Sequence, residues 1–312
     1  MRAAFVATLA ELAESDDRII LLTADLGFSV VEPFADLFPD RFFNVGVAET
    51  NMVALATGLA HEGLLPFCYS IASFLSMRCY EAFRDGPIAH GSPVRLVAVG
   101  GGVGYGVSGI THYAVEDIAI MRTSQRVAIY APPTTTACTG LLRKTYTDPA
   151  PIYYRLAKDA LEDRRVPADR LALDGYVIIG TSGIPIITYG RMATIVLDAI
   201  ERLAHSHALA FQCVVVQHLH PDVVGQALAA FTDSTDLVSV EDHVPIGGLG
   251  SLIAERFASL PRHPRLHRLG IGTDIWEGRG GSEMRVLARN GLAAEELCTG
   301  LRNLARQGHR RC

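Results

Sequence analysis

The chain has 312 residues and a formal net charge of −5, with 49% hydrophobic and 20% charged residues. That length supports one large or two medium domains with real cores, and a net negative charge gives no general attraction to nucleic acid or to anionic membrane. The six cysteines, Cys68, Cys79, Cys138, Cys213, Cys298 and Cys312, show no CxxC spacing, which argues against a metal cluster or a disulfide framework and fits the reducing cytoplasm.

The opening segment MRAAFVATLAELAESDD places Phe5, Leu9 and Leu12 at helical spacing, with acids close behind. It reads as an amphipathic first helix rather than a signal peptide. No run approaches the roughly 18 apolar residues of a membrane span. Residues 18–25, RIILLTAD, form a nearly unbroken apolar strand, and similar runs recur at 65–69, 94–99, 127–131 and 152–154. Continuous apolarity marks strands buried on both faces of a parallel sheet. Helical stretches at 72–84 and 134–146 fall between them. Residues 158–175 are charged, contain Pro167 and lack a buried run, which predicts an interdomain linker. A second series follows, with strands at 176–179, 185–189, 211–216, 237–241 and a short one near 267–269. Helices at about 193–205 and 249–260 intervene. The expected fold is α/β, with two domains (1–165 and 176–312), each a largely parallel sheet flanked by helices. The basic end His309, Arg310, Arg311 and Cys312 reads as a frayed, solvated tail.

Three stretches carry candidate chemistry. In residues 42–63, FFNVGVAETNMVALATGLAHEG, a short strand turns at Gly46 into a helix rich in small residues, and Glu49 projects from its first turn. Alone, such an acid complements the helix dipole. Phe74, Met77 and Tyr80 fall at i, i+3 and i+6, near one face if the stretch is helical; alone, they read as core. Residues 104–109, GYGVSG, fit GxGxxG after a strand. Ile110-Thr111-His112-Tyr113 follows in place of a clear helix, so a dinucleotide site is a weak reading. His112 ends a flexible loop, where binding groups are expected.

The segment NVGVAETNMV resembles the glutamate segment of the pyrimidine-binding domain in transketolase-type thiamine diphosphate enzymes. Residues 240–251, VEDHVPIGGLGS, are similar to the acidic, glycine-rich turn of the family's C-terminal domain, so the resemblance covers nearly the whole chain. It implies that Glu49 hydrogen-bonds N1′ of the cofactor's aminopyrimidine, and that the pyrimidine then removes the C2 proton of the thiazolium. It implies that Phe74 and Tyr80 sandwich the aminopyrimidine, with Met77 in place of an aromatic, and that Asp25 joins the cofactor-binding set. A polarizable thioether packs well against a ring. His112 matches a histidine that faces the reacting carbonyl and its oxyanion. Ser29 and Arg2 match phosphate contacts. Ser108 stands where the family has an aspartate that reads a substrate hydroxyl, and Gly100 where it has a phosphate-contacting histidine. The late arginine is Lys158, or Arg155 under a shifted alignment. Losing an acid and an imidazole predicts a roomier, less polar pocket, and so an acceptor other than an ordinary 2-hydroxy aldose phosphate. The segment 240–251 is expected to pack rather than to react.

The family's GDG motif and downstream Asn, which bind Mg²⁺ and diphosphate, do not occur in this sequence, and the chain begins where the pyrimidine-binding domain begins. The resemblance therefore implies the second subunit of a split enzyme, in which an N-terminal partner carries Mg²⁺ and the diphosphate within an α2β2 heterotetramer. The implied function is transfer of a two-carbon ketol unit between sugar-like substrates. Two alternatives are the β subunit of a thiamine-dependent 2-oxo-acid dehydrogenase and a non-catalytic scaffolding subunit.

Overall fold

The computed structural model describes residues 1–207, 209–277 and 280–309. Arg310, Arg311 and Cys312 of the basic tail lie outside the described residues. The first sheet begins with α1 (Arg2–Ala13), β1 (Ile19–Thr23), α2 (Glu32–Leu37), β2 (Phe42–Asn44), α3 (Glu49–His61) and β3 (Leu65–Ile71). It continues through α4 (Tyr80–Phe83), β4 (Arg95–Val99), α5 (Asp117–Met121), β5 (Ala128–Tyr130), α6 (Thr135–Thr145) and β6 (Ile152–Leu156). Its six strands run parallel in the order β2-β1-β3-β4-β6-β5.

The unbroken apolarity of these strands has a direct cause. In β1, Ile20 and Leu22 pack into a core layer that includes Met52 and Val53 of α3, while Ile19 and Leu21 pack into another that includes Phe5 and Leu9 of α1. Successive side chains point to opposite faces, and here both faces are covered. The strand ends are also aligned. Thr23 pairs with both Asn44 and Tyr69, Ile71 with Val99, and Val99 with Leu156. The chain runs from β1 outward to β2, then returns past β1 to β3, so the crevice above β1 and β3 is a topological switch point. Ligands of open parallel sheets bind outside the carboxyl ends of the strands at such points.

After α7 (Ala168–Asp174) the second sheet is built from β7 (Tyr176–Ile179), β8 (Ile184–Tyr189), α8 (Met192–His207), β9 (Phe211–Val216), α9 (Pro221–Leu228) and β10 (Asp236–Val240). It ends with α10 (Leu249–Phe257), β11 (Arg265–Leu269), α11 (Glu283–Arg289) and α12 (Ala294–His309). The order is β11-β10-β8-β9-β7, parallel except for β7 against β9. The fold is thus the expected pair of largely parallel sheets flanked by helices. No helix among the described residues is long and apolar enough to cross a membrane.

One local reading is corrected. Residues 72–84 are not one helix: a π-helical turn (Phe74–Arg78), α4 and a second π turn (Arg84–Ile88) containing Pro87 follow one another. Residues 158–175 hold no buried run; within them α7 inserts Leu171 into the core and stops at Gly175, whose φ of 76° suits a residue without Cβ.

The two sheets share a core layer and a polar seam. Ile187, Tyr189, Val214 and Val216 of the second sheet join the layer that holds Ile20 and Leu22. At the seam Arg155 is fully committed: Nε donates to Asp117 Oδ2 at 2.8 Å and Nη1 to Asp242 Oδ1 at 2.9 Å. Tyr153 donates to the same Asp117 oxygen at 2.8 Å. In the segment 240–251, Glu241 accepts from the amides of Leu249 (2.7 Å) and Gly250 (3.0 Å), closing the N-terminus of α10. Beyond β5, Ala131 N donates to Gln217 O and Leu219 N to Ile129 O, stacking the His218 ring 4.4 Å from that of Tyr130.

Two outcomes are expected from this seam. Arg155→Met leaves two buried carboxylates without their cation, which should cost about 3–5 kcal/mol of stability in denaturant titration; a loss below about 1 kcal/mol would contradict the assignment. Burial, and next His220, pushes the His218 pKa down from 6.5 to about 4. The unfolded chain then takes up a proton that the folded chain refuses, so stability present above pH 6.5 is lost as pH falls toward 4. Melting temperatures followed from pH 8 to 4.5 should fall less steeply for His218→Gln than for the parent.

Candidate functional site

Aligned strand ends place five loops on one edge, and every candidate residue except Arg2 and Arg155 lies on those loops or the helix they open. Glu49 is the first residue of α3 and only 1% exposed. The hydrogen bond it makes is not to its own helix: Oε2 accepts from Arg78 Nη1. Its other oxygen, Oε1, is buried with no hydrogen-bond partner among the described residues. An unsatisfied buried acceptor costs about 1–3 kcal/mol, and no donor among the described residues offsets that cost.

Arg78 was not foreseen from the sequence. The π turn, wider than an α turn, carries its guanidinium to 4.6 Å from the centroid of the Phe74 ring. Phe74, Met77 and Tyr80 therefore do not form the single-face stripe expected of an α-helix. Phe74 and Tyr80 are half-buried, Met77 is exposed, and the Tyr80 hydroxyl is bonded to Thr123 Oγ1. The only sequence signal was the spacing of Arg78 four residues after Phe74.

On the other side of the crevice, Asp25 and Ser29 hold φ of 54° and 64°, a left-handed backbone rare outside glycine. Such strain persists where the surroundings over-determine it, often at functional sites. Here Asn44 pins the loop: its Oδ1 accepts from the amides of Asp25 and Gly46, and its Nδ2 donates to Asp25 Oδ1, all at 3.0 Å. The turn ahead of Glu49 and the loop after β1 are thereby tied together.

His112 stands on the loop after β4, which is closed at its base by paired hydrogen bonds between Gly102 and Ala114. The Tyr113 hydroxyl braces the loop by donating to Gly106 O at 2.6 Å. His112 Nδ1 lies 2.9 Å from Thr111 Oγ1, and its ring is 5.2 Å from Phe74 and 5.9 Å from Tyr105. The loop contains two short 3₁₀ turns where a dinucleotide fingerprint would open a helix.

The space beside Gly100 is occupied. Tyr105 folds back over Gly100, so that a Cβ added there would lie 2.3 Å from Tyr105 Cε2. Lys158 and Arg155 are now distinguished. Arg155 is buried and paired at the seam, whereas Lys158 is half-exposed with Nζ 5.1 Å from the Tyr105 ring centroid. Burial raises the pKa values of Tyr69 and Tyr105, and in both cases the nearby Arg2 guanidinium opposes the rise. Arg2, from α1, thus lies within electrostatic reach of both tyrosines. Ser108 lies exposed on the outer turn of the His112 loop, next to the exposed Val107. Among the described residues no group of three or more His, Cys, Asp or Glu is placed to hold a metal ion.

Residues 1–163 match the family described as transketolase, pyrimidine binding domain. The chain is 30% identical over 299 residues to a 6-deoxy-6-sulfo-D-fructose transketolase subunit of Clostridium sp., covering 95% of this chain and 92% of that one. It is 27% identical over 300 residues to an apulose-4-phosphate transketolase subunit of Phocaeicola vulgatus, covering 95% of both. Its fold matches a structure described as a split gene transketolase, inactive beta4 tetramer, with a TM-score of 0.82, 26% identity and 97% coverage of both chains. Fold and edge together define an α/β transferase subunit built on a pyrimidine-binding domain. The chain belongs to the transketolase family and corresponds to its C-terminal half.

Membership in this family implies thiamine diphosphate, and the residues present fit its aminopyrimidine end. A buried carboxylate, one oxygen lacking a donor, is held by Arg78, whose guanidinium lies over the aromatic ring of Phe74.

Proposed function

We propose that this chain is the C-terminal subunit of a two-component, thiamine-diphosphate-dependent transketolase-type enzyme, which moves a two-carbon ketol unit from a ketose donor to an aldehyde acceptor. The observation that carries this reading is the orphaned, buried Glu49 Oε1. Thiamine diphosphate, held at its pyrimidine end by Glu49, Phe74, Tyr80 and Met77, would supply the carbon nucleophile that this reaction needs. Glu49 holds or accepts a proton at N1′ of the pyrimidine, in a site from which its burial excludes water. Phe74, Tyr80 and Met77 pack against the pyrimidine, and Asp25 fixes the opposite rim. The Thr111 hydroxyl lies 2.9 Å from His112 Nδ1; in the tautomer with the ring proton on Nε2, His112 donates to the oxygen of the reacting carbonyl. Arg2, Ser29 and Lys158 receive an anionic substrate end, and Ser108 adds a hydroxyl at the rim. The Clostridium and Phocaeicola relatives are named for a sulfonated and a phosphorylated sugar, which agrees with a cationic end to the crevice.

The partner is an N-terminal subunit carrying the diphosphate and Mg²⁺ sites, in an α2β2 assembly, with this chain divided into domains at 1–165 and 176–312. Phe28, Val47 and Val107, exposed by 73%, 73% and 84%, stand on the same loops as Asp25, Glu49 and His112. Exposed apolar groups gathered at one rim mark a surface that another chain covers. Ketol transfer from a panel of ketose donors is expected only when the two subunits are mixed. In the mixture Glu49→Gln should cut turnover by about 10²–10⁴-fold, the range for a positioned proton-transfer group, with cofactor affinity little changed. Full turnover by this chain alone, or by the Gln variant, would overturn the proposal.

A further inference from the structure

The feature least explained by the proposed chemistry is Tyr105. It stands over Gly100, where an added Cβ would meet Cε2 at 2.3 Å and Cδ2 at 2.4 Å. No side chain at position 100 can share that volume, so the backbone there has been cleared for this ring. The ring borders both working ends of the crevice: its centroid is 5.9 Å from that of His112 and 5.1 Å from Lys158 Nζ. Arg2 and Asp159 both act on its hydroxyl, from opposite signs of charge. Burial dominates and raises its pKa, which keeps the phenol neutral, an apolar face with a polar tip.

We propose that Tyr105 is a specificity-determining residue of this crevice, setting how much carbon chain fits between a carbonyl at His112 and an anionic group held by Lys158 and Arg2. The proposal rests on the reading of His112 and Lys158 given above. A rigid ring in this place favours a short chain, because atoms of a longer one would have to occupy the volume that the ring fills. The ammonium of Lys158 over the ring face holds the ring in place by cation–π attraction. The substrate class selected is the short anionic aldehyde, near three carbons, over five-carbon and longer ones.

The test uses the assembled two-subunit enzyme and two unreactive probes, glycerol 3-phosphate and ribitol 5-phosphate, with affinities measured by calorimetry. The parent complex is expected to bind the three-carbon probe about tenfold more tightly. Tyr105→Ala should shift the ratio of the two affinities at least tenfold toward the five-carbon probe, and Tyr105→Phe should leave it within about threefold. Tyr105→Leu replaces the alanine variant if that variant fails to assemble, with a smaller shift in the same direction expected. An unmoved ratio, or equal weakening of both probes together with a lowered Tm, overturns the proposal, as does a complex that transfers ketol units yet binds neither probe. Ketol transfer by the parent complex is measured alongside. Probe binding with the expected shift but no transfer refutes the proposed reaction and leaves the role of Tyr105 standing.

Discussion

A parallel sheet puts the carboxyl ends of all its strands on one edge, and the register of this sheet makes those ends nearly flush. Thr23 and Asn44 stand level with Tyr69, and Ile71, Val99 and Leu156 form a second row two residues further on. Segments far apart in sequence, from Asp25 to Lys158, therefore open into one crevice without any long-range side-chain contact being needed to gather them. The return of the chain past β1 parts the loops at the switch point, which is where Glu49 enters. The hydrophobic core secures the register, since a slip of one residue would turn Ile20 and Leu22 out of one layer and into the other.

On that frame the crevice stores polar groups under tension. Glu49 is buried with one oxygen paired to Arg78 and the other unpaired. A carboxylate so placed is costly, and the fold tolerates it because Arg78 is itself held over Phe74 by a π-helical turn. Such turns are rare and concentrate at functional sites. The positive φ values of Asp25 and Ser29 add further strain on the facing loop, restrained by Asn44. The stability that offsets these costs lies elsewhere, in the shared core layer and in the seam where all three Arg155 guanidinium nitrogens are hydrogen-bonded.

Much of the frame was legible in the sequence, because burial on both faces leaves an unbroken apolar run that few other environments produce. Runs such as IILLT and RLVAV became strands nearly where they were expected. The C-terminal half of the family was legible through NVGVAETNMV. The contacts that shape the crevice were not. Arg78 reaches Glu49 only because a π turn alters which side chains face together, and no α-helical spacing reveals that. Tyr105 fills the place above Gly100 only because the loop folds back on itself. Arg155 and Lys158 lie three residues apart at the end of one strand, and burial alone tells them apart.

The central claim is that Glu49 Oε1 is left unpaired for a proton shared with the cofactor. Exchange of the cofactor C2 proton in deuterated solvent tests it most directly, using the assembled enzyme without substrate. Exchange should be fast in the parent, slowed by orders of magnitude in Glu49→Gln, and nearly parental in His112→Ala, whose proposed role is at the substrate carbonyl. Parental exchange in Glu49→Gln would contradict it and return Glu49 to the part of an acid at the head of a helix.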